Sequence, residues 1–286
     1  MKPSPHRPWL PALLRWVLVI PLGLYALYVG SLVFLQDMLI FPAPDLPAST
    51  LTAWADEAGA TELTIPTPDG GHIYGWHLKG TERRAVLFFH GNGDTVRGSA
   101  ALKSILGPTW HVIGVSYHGY PGGTGTASEA ALEMDAKAAW TYVTQDLGFS
   151  GLQVVVHGRS LGGSAAAYLA ADTPPAALVM GSTFLSMEEV AQDNHPLAPV
   201  SLLLRHPLRT RDRAPHIDVR TLVMHSTDDD LIPVRHGQQL GQLFPRGEYL
   251  ERPGYGHNGW LAVRDDEARA RYLRFVSAAA PIRDPY

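Results

Sequence analysis

The chain contains no cysteine among its 286 residues, which excludes a disulfide framework and any chemistry that depends on a thiolate. It also lacks an excess of positive charge. Its formal net charge is -4, which argues against nucleic acid as a partner. Charged residues make up only 17% of the chain and hydrophobic residues 45%. No internal repeat is present. These values fit one globular domain together with one membrane segment.

One segment near the N-terminus has no charged residue at all. It runs for 20 residues from Trp16 to Leu35, and as a helix it would span about 30 Å, the thickness of the hydrocarbon core of a bilayer. Arg7 and Arg15 precede it, and Asp37 follows it. We therefore predict a single-pass anchor with a cytoplasmic N-terminus and the main domain on the far side, periplasmic in a bacterium. A cleaved signal peptide is the alternative, although no Ala-x-Ala site closes the segment.

Alternating strand-like and helical patterns after residue 60 predict an α/β domain with a mostly parallel sheet. Strands are predicted at 61–66, 72–78, 85–90, 111–116, 153–157, 176–181, 220–225 and 247–251. Helices are predicted near 95–106, 127–147, 161–172, 234–244 and 260–278. The one long insertion, 183–218, is apolar and rich in proline, which predicts a short cap between the sixth and seventh strands. The chain is thus divided into an anchor at 1–35, a linker at 36–60 and a domain at 61–286.

The most informative motif is Gly158-Arg159-Ser160-Leu161-Gly162, which lies between an apolar run and a stretch of small residues. A Gly-x-Ser-x-Gly sequence between a strand and a helix is typical of a nucleophile elbow. The turn is so tight that a side chain at either glycine would clash with the neighbouring strand or helix. The motif therefore predicts that the Ser160 hydroxyl is presented at the carboxyl end of a parallel sheet as a nucleophile.

A nucleophile elbow is followed along the chain by an acid and then by a histidine. Only His236 and His257 lie beyond the predicted seventh strand, and His257 is favoured because it sits in a glycine-rich loop at a strand end. The acid is expected in the run Asp228-Asp229-Asp230, of which at most two members can point inward. A cation site there is disfavoured because no EF-hand spacing surrounds the run.

A second strand end completes the predicted site. The apolar run at 86–89 leads into His90-Gly91-Asn92, where enzymes with a nucleophile elbow place one donor of the oxyanion hole. The backbone N–H groups of Asn92 and Leu161 are therefore the predicted oxyanion donors.

Other histidines and arginines are given structural interpretations. His90, His157 and His225 are interpreted as core or turn-bonding residues. His118 is interpreted as part of a surface aromatic loop, with a place in the lining of the pocket as the alternative. The arginines between residues 205 and 213 are interpreted as a solvated face.

Taken together, the motifs resemble the α/β-hydrolase superfamily, and within it the membrane-anchored serine hydrolases of the α/β-hydrolase-domain type. The resemblance covers roughly residues 36–277. It is carried by Leu39-Ile40-Phe41-Pro42, Thr67-Pro68-Asp69-Gly70, His90-Gly91-Asn92, the elbow, the stretch from Asp229 to Pro233, and Gly256-His257-Asn258. Ser116 and His118 depart from it, because relatives often carry an acidic residue and an arginine there.

The resemblance implies an α/β-hydrolase fold and identifies Asp229 as the acid, since relatives place it four residues before this proline. The implied function is hydrolysis of carboxylic esters or thioesters by a Ser160-His257-Asp229 triad through an acyl-enzyme, without cofactor or metal. Small-molecule or lipid-like esters are the expected substrates, and the membrane the expected partner. A catalytically silent binding protein of the same fold and a peptidase remain as alternatives.

Overall fold

The computed structural model describes residues 9–259 and 266–280. Its strands are β1 (Thr61–Pro66), β2 (His72–Leu78), β3 (Ala85–Phe89), β4 (His111–Val115), β5 (Val154–Arg159), β6 (Ala177–Gly181), β7 (Thr221–Ser226) and β8 (Gly247–Arg252). They form one sheet in the order β1-β2-β4-β3-β5-β6-β7-β8. Strand β2 is antiparallel to β1 and β4, and the remaining neighbours are parallel. The predicted fold class is confirmed, and each strand end lies within two residues of its prediction.

Helices cover the sheet and build the insertion. They are α1 (Trp9–Ile40), α2 (Ala48–Ala58), α3 (Gly98–Leu106), α4 (Glu129–Thr141), α5 (Leu161–Asp172), α6 (Met187–Asn194), α7 (Val200–Leu203), α8 (Thr210–Arg213), α9 (Arg235–Leu243) and α10 (Asp266–Ala279). Helix α4 continues into a π-helical turn at Tyr142–Asp146. Residues 260–265 of the helix predicted at 260–278 lie outside the described residues. The insertion contains α6, α7 and α8.

The central strands are buried on both faces. Every residue of β3, β5 and β6 is buried, as expected of parallel strands that helices cover from two sides. One large apolar cluster lies under α4 and α5, and a second lies under α3 and α10. The carboxyl ends of β3, β5, β7 and β8 consequently meet at one edge of the sheet, where α/β proteins place their ligands.

Helix α1 is longer than the predicted anchor and has two parts. It contains 32 residues, and by length and composition it could cross a membrane. Residues 15–27 are exposed on all sides, whereas residues 28–40 are partly covered by the domain, with Gln36 and Ile40 buried. The first part is therefore largely free of the domain, whereas the second part also packs on the domain.

The linker predicted at 36–60 is wrong as a description of the structure. Helix α1 continues through Asp37 to Ile40, and α2 follows, burying Leu51 and Ala55 against Tyr74 and Trp76 of the sheet. The charge of Asp37 does not end α1, because this part of the helix packs on the domain. The chain leaves α1 only at Phe41-Pro42, since proline there disfavours the helical conformation of the residue before it.

A buried histidine makes the stability of the domain sensitive to acid. His157 in β5 is 3% exposed, and its ring packs against Phe88 and Tyr272. Burial lowers the pKa of His157 to about 3, and the positive charge of Arg159 acts in the same direction. In the unfolded chain the group titrates near about 6.5. Its contribution to stability is therefore complete above about pH 6.5 and is lost as the pH falls.

We expect acidification from about pH 7.5 to about pH 5 to remove about 2 kcal/mol of unfolding free energy through His157. The variant His157→Gln should lose about 2 kcal/mol less than the wild type over that range. His216→Gln serves as the control, because His216 is exposed on the surface. Chemical denaturation of the three proteins in detergent at both pH values measures the effect. An identical pH dependence in His157→Gln and the wild type would contradict it.

Candidate active site

Ser160 occupies a strained turn between β5 and α5. Its φ is 50° and its ψ is -118°, a conformation that residues other than glycine rarely adopt. The neighbouring strand and helix leave no room for side chains at the flanking glycines. A Cβ at Gly158 would lie 2.3 Å from the Gly162 oxygen, and one at Gly162 would lie 2.2 Å from the Phe89 oxygen. The sequence therefore forms the tight strand-turn-helix geometry of a nucleophile elbow.

The structure brings Ser160, His257 and Asp229 into one chain of hydrogen bonds. His257 Nε2 lies 3.0 Å from Ser160 Oγ, and His257 Nδ1 lies 2.9 Å from Asp229 Oδ2. With Nδ1–H donating to the carboxylate, Nε2 is left to accept the serine proton. The three residues come from the elbow and from the loops that follow β7 and β8, all at the carboxyl edge of the sheet.

Among the three adjacent aspartates, Asp229 is the one in contact with His257. Asp228 turns the other way, and its Oδ1 accepts hydrogen bonds from Ser226 Oγ at 2.5 Å and from the Gly254 N–H at 2.8 Å. Asp230 is exposed to solvent. Asp228 thus ties the loop after β7 to the loop after β8, which carries the histidine.

The Asp229 carboxylate is buried, but groups of the protein form hydrogen bonds with it. Its Oδ1 accepts the N–H groups of Leu231 and Ile232 at 3.0 and 2.8 Å, and His225 Nε2 lies 3.3 Å from its Oδ2. Burial alone would raise the pKa of Asp229. Hydrogen bonds from His225, His257 and the Ile232 N–H outweigh burial and hold the pKa below its usual value. Asp229 is consequently ionised across the neutral and mildly acidic range.

The two predicted oxyanion donors flank Ser160. Leu161 is the first residue of α5, so its N–H has no acceptor within the helix. Asn92 follows β3 and lies with Ser160 and Leu161 at the base of the same cavity. The Asn92 side chain reaches the other way, and its Nδ2 lies 3.5 Å from the Ile40 oxygen at the end of α1. The N-terminus of α5 beneath Ser160 also favours negative charge there.

Comparison with known proteins agrees with this architecture, although no protein-family model matches the chain. An uncharacterized protein of Mycobacterium tuberculosis is 31% identical over 69% of this chain and 72% of its own length. The Caenorhabditis elegans alpha/beta hydrolase domain-containing protein aho-3 is 30% identical over 66% of this chain. The lysophosphatidylserine lipase ABHD12 of Danio rerio is 27% identical over 61% of it. The chain spans only 54% and 51% of the last two relatives.

Solved structures share the fold at low sequence identity. The esterase Pf2001 of Pyrococcus furiosus superposes with a TM-score of 0.65 at 14% identity, covering 82% of this chain and 96% of its own. A bacterial membrane phospholipase A superposes with a TM-score of 0.63 at 17% identity, covering 95% of this chain and 99% of its own. The chain belongs to the α/β-hydrolase superfamily.

In this α/β-hydrolase superfamily member, an arginine inside the elbow joins two of the loops around the site. Arg159 is 7% exposed. Its Nη2 donates to Asp94 Oδ2 at 2.9 Å, in the loop after β3, and its Nη1 donates to Asn258 Oδ1 at 2.6 Å, next to His257. The motif Gly-x-Ser-x-Gly leaves its second position open, so the sequence gives no signal for this role. Arg159 positions the loop of Asn92 relative to the loop of His257.

The cavity above Ser160 in this α/β-hydrolase is apolar and has a volume of about 280 Å³. Its base contains Asn92, Ser160 and Leu161, and one wall is built by the predicted cap. Another wall is the second part of α1, whose residues the sequence analysis divided between the anchor and the linker. The apolar residues that α1 contributes are Val29, Leu32, Val33, Leu39 and Ile40, and those of the insertion are Phe184, Met187, Val190, Ala191, Ala198, Val200, Leu203 and Leu204.

Two other histidines weighed in the sequence analysis, His236 and His118, have partners other than Ser160. His236 is buried in α9 and contacts Asp193 at 3.2 Å. The interpretation of His118 as a surface residue is wrong. It is 2% exposed, and its ring is held between Asp135 at 2.5 Å and Asp69 at 3.2 Å. Burial raises the pKa of Asp135 to about 6, although hydrogen bonds from His118 oppose the rise.

The arginines between residues 205 and 213 are mostly solvated, as interpreted from the sequence, since the side chains of Arg205, Arg209 and Arg211 are about half exposed. They also form ion pairs, namely Arg205 with Asp37, Arg209 with Glu188, Arg211 with Glu189 and the less exposed Arg213 with Glu133. Within residues 9–259 and 266–280, no group of three or more His, Asp or Glu side chains is arranged to hold a metal ion.

Proposed function

We propose that this chain is a membrane-tethered serine hydrolase that cleaves carboxylic esters or thioesters of amphiphilic, lipid-like molecules. The observation that carries the proposal is the hydrogen-bonded chain Ser160–His257–Asp229 at the base of an apolar cavity. The names of two relatives support it, since aho-3 is called an alpha/beta hydrolase and ABHD12 a lysophosphatidylserine lipase.

The proposed reaction begins with attack of Ser160 Oγ on the ester carbonyl carbon. His257 Nε2 takes the serine proton as the new C–O bond forms, and Asp229 stabilises the imidazolium. The backbone N–H groups of Asn92 and Leu161 stabilise the negative charge on the former carbonyl oxygen. His257 then gives its proton to the departing alcohol or thiol, leaving an acyl-enzyme. Water, deprotonated by His257, releases the acid and restores Ser160.

The proposed location is the membrane. The uncharged run from Trp16 to Leu35 serves as the anchor, with the N-terminus in the cytoplasm and the catalytic domain across the bilayer. Arg7, on which this orientation partly depends, lies outside the described residues. A yeast relative, 25% identical over 85% of this chain, is called a membrane protein. Tethering supports the proposed substrate class because it raises the effective concentration of membrane-borne substrates.

Covalent labelling and substrate profiling test the proposal directly. The purified full chain should react with a fluorophosphonate probe and should hydrolyse p-nitrophenyl esters. Turnover should rise with acyl length from acetate until the cavity is filled. Absence of both labelling and turnover would favour a catalytically silent binding protein, and turnover of peptides alone would favour a peptidase.

A truncation series tests whether α1 serves only as a membrane anchor or also as a wall of the substrate cavity. Deletion of residues 1–35 removes Val29, Leu32 and Val33 from the cavity, whereas deletion of residues 1–24 leaves them in place. We expect the longer deletion to lower kcat/KM for octanoate esters roughly 10- to 100-fold, because lost apolar contacts with an acyl chain cost about 1–3 kcal/mol. Acetate hydrolysis should change little, since a short acyl group does not reach that wall.

The shorter deletion is the matched control, and its octanoate and acetate kinetics should equal those of the full chain in detergent. Circular dichroism and thermal unfolding should first establish that both truncated proteins are folded. Equal octanoate kinetics in the two folded deletions would contradict a role of α1 in the substrate pocket.

A further inference from the structure

The insertion carries a strongly apolar surface segment outside the catalytic cavity. Residues 196–204 contain no charge. Leu197 is 76% exposed and Leu202 is 83% exposed, and Leu203 is partly exposed on the same short helix, α7. We call Leu197 and Leu202, which do not line the cavity, the cap strip. Large apolar side chains that are this exposed on one uncharged segment suggest an interaction site.

The cap strip lies directly beside α1. The Tyr25 hydroxyl donates to the Leu197 oxygen at 2.9 Å, and Gln36 Nε2 donates to the Leu203 oxygen at 3.3 Å. Tyr25 and Gln36 are 11 residues apart, which is about 16 Å along a helix. The segment from Leu197 to Leu203 therefore follows α1 for about three turns.

Polar groups bound this shared apolar surface at both ends. At the Tyr25 end, the Tyr28 hydroxyl lies 3.1 Å from His195 Nδ1. At the other end, Asp37 pairs with Arg205 at 3.3 Å. Between these ends, α1 exposes Phe34, whose side chain is 83% accessible.

A bilayer is the occupant that fits this surface. The uncharged run of α1 needs all 20 of its residues, from Trp16 to Leu35, to span a hydrocarbon core of about 30 Å. Its last residues are those that run beside the cap strip. A bilayer that covers the whole run therefore also reaches Leu197 and Leu202.

The opposite side of the same elements faces the catalytic cavity. In α7, Val200 and Leu203 line the cavity while Leu202 points outward, and in α1 Val29 and Val33 line it while Phe34 is exposed. A single layer of side chains thus separates the outer apolar surface from the space above Ser160. Apolar residues of both α1 and α7 therefore border the cavity on the side of that surface.

We infer that the cap strip rests against the bilayer and that the cavity takes its substrate sideways from the membrane, between α1 and α7. This inference rests on the proposed function for its second half, because only a hydrolase would draw an ester from the bilayer. The ligand class is an ester that carries a long acyl chain and resides in the membrane. Esters dissolved in water reach Ser160 without needing contact between the cap strip and lipid.

Labelling at single cysteines tests contact with the bilayer independently of catalysis. The chain has no cysteine, so Leu197→Cys and Leu202→Cys each give one attachment site for an NBD fluorophore. Leu152→Cys is the matched control, because Leu152 is a 54% exposed leucine at the amino end of β5. The labelled full chains are reconstituted into phosphatidylcholine–phosphatidylglycerol vesicles with or without nitroxide-bearing acyl chains.

We expect the labels at 197 and 202 to shift their emission to the blue and to be quenched by the nitroxide lipids. The label at 152 should behave as in water. If the three labels have the same emission maximum and are quenched to the same extent, the inference is overturned, whether or not the protein is a hydrolase.

A second experiment tests access to the cavity. Leu202→Glu should slow hydrolysis of a long-chain monoacylglycerol in vesicles about tenfold, because a carboxylate disfavours contact with lipid. It should leave acetate ester hydrolysis unchanged, and Leu152→Glu should leave both unchanged. The access route is overturned if Leu202→Glu hydrolyses both substrates as fast as the wild type does, or if it loses the same factor in rate on both. If the wild type hydrolyses neither substrate, the proposed function fails, while the labelling result still decides the contact with lipid.

Discussion

Replacement of Ser160 by alanine is expected to abolish ester hydrolysis and fluorophosphonate labelling together. The substitution removes the only atom that would form the acyl-enzyme bond and leaves His257 without the proton it would accept. Loss of the nucleophile in a Ser-His-Asp hydrolase lowers kcat by about a million-fold. The fold should remain, since the hydrogen bond of Ser160 Oγ within the described residues is the one with His257, and alanine at φ 50° is strained no more than serine.

The measurement is labelling of wild-type and variant protein, read by mass spectrometry, beside steady-state hydrolysis of a p-nitrophenyl ester. Ser164→Ala is the matched control, because Ser164 is a buried serine one turn along α5. It should retain both labelling and turnover. Full labelling of Ser160→Ala would show that the probe, and hence the reaction, uses another nucleophile.

Replacement of Asp229 by asparagine is expected to lower kcat about 10,000-fold, as the equivalent change does in serine proteases. The structure gives the reason. One carboxylate oxygen accepts the N–H groups of Leu231 and Ile232, so the amide oxygen of asparagine would stay there. Its NH₂ group would then face His257 Nδ1 and force the proton of the neutral ring onto Nε2. That tautomer cannot accept the proton of Ser160.

Asp228→Asn provides the comparison for this variant. Asp228 bonds Ser226 Oγ and the Gly254 N–H and makes no hydrogen bond to His257 in the described part of the chain. We expect a loss of only a few-fold, because an amide oxygen can still accept these bonds. Matched kinetics with one soluble ester and fluorophosphonate labelling rates decide between the two carboxylates. A larger loss in Asp228→Asn than in Asp229→Asn would show that the acid was assigned one residue too late.

Much of the fold could be predicted from local sequence signals. The buried strands β3, β5 and β6 are short apolar runs bounded by glycine, proline or polar residues, so their positions were predicted closely. The elbow was recognisable because its glycines are dictated by contacts a few residues apart. Ser160 and His257 were singled out by motif and by position at strand ends, and the structure places them 3.0 Å apart.

Other features depend on contacts between distant segments and leave little trace in the sequence. Helix α1 is apolar on all sides, so it has no periodicity that separates its lipid-facing part from the part that walls the cavity. Nothing near His118 indicates that Asp135, 17 residues later, would enclose it. His225 ends β7 like any buried histidine, and only the fold of the next turn brings its Nε2 to Asp229 and the Ile232 oxygen. The choice among three adjacent aspartates likewise depended on resemblance to relatives.

Arg159 has a consequence for any attempt to recombine parts of this protein with those of its relatives. It fills the space between Asp94 and Asn258 and fastens both, while a Cβ at Gly91 would already press on its guanidinium at 3.1 Å. A graft that exchanged the elbow alone would leave Asp94 and Asn258 without the guanidinium that joins them, or facing a clash. The unit that can be transplanted is therefore a set of three loops separated by more than 150 residues of chain, from Gly91 to Asn258. A substitution of Arg159 would therefore need compensating changes at Asp94 and Asn258.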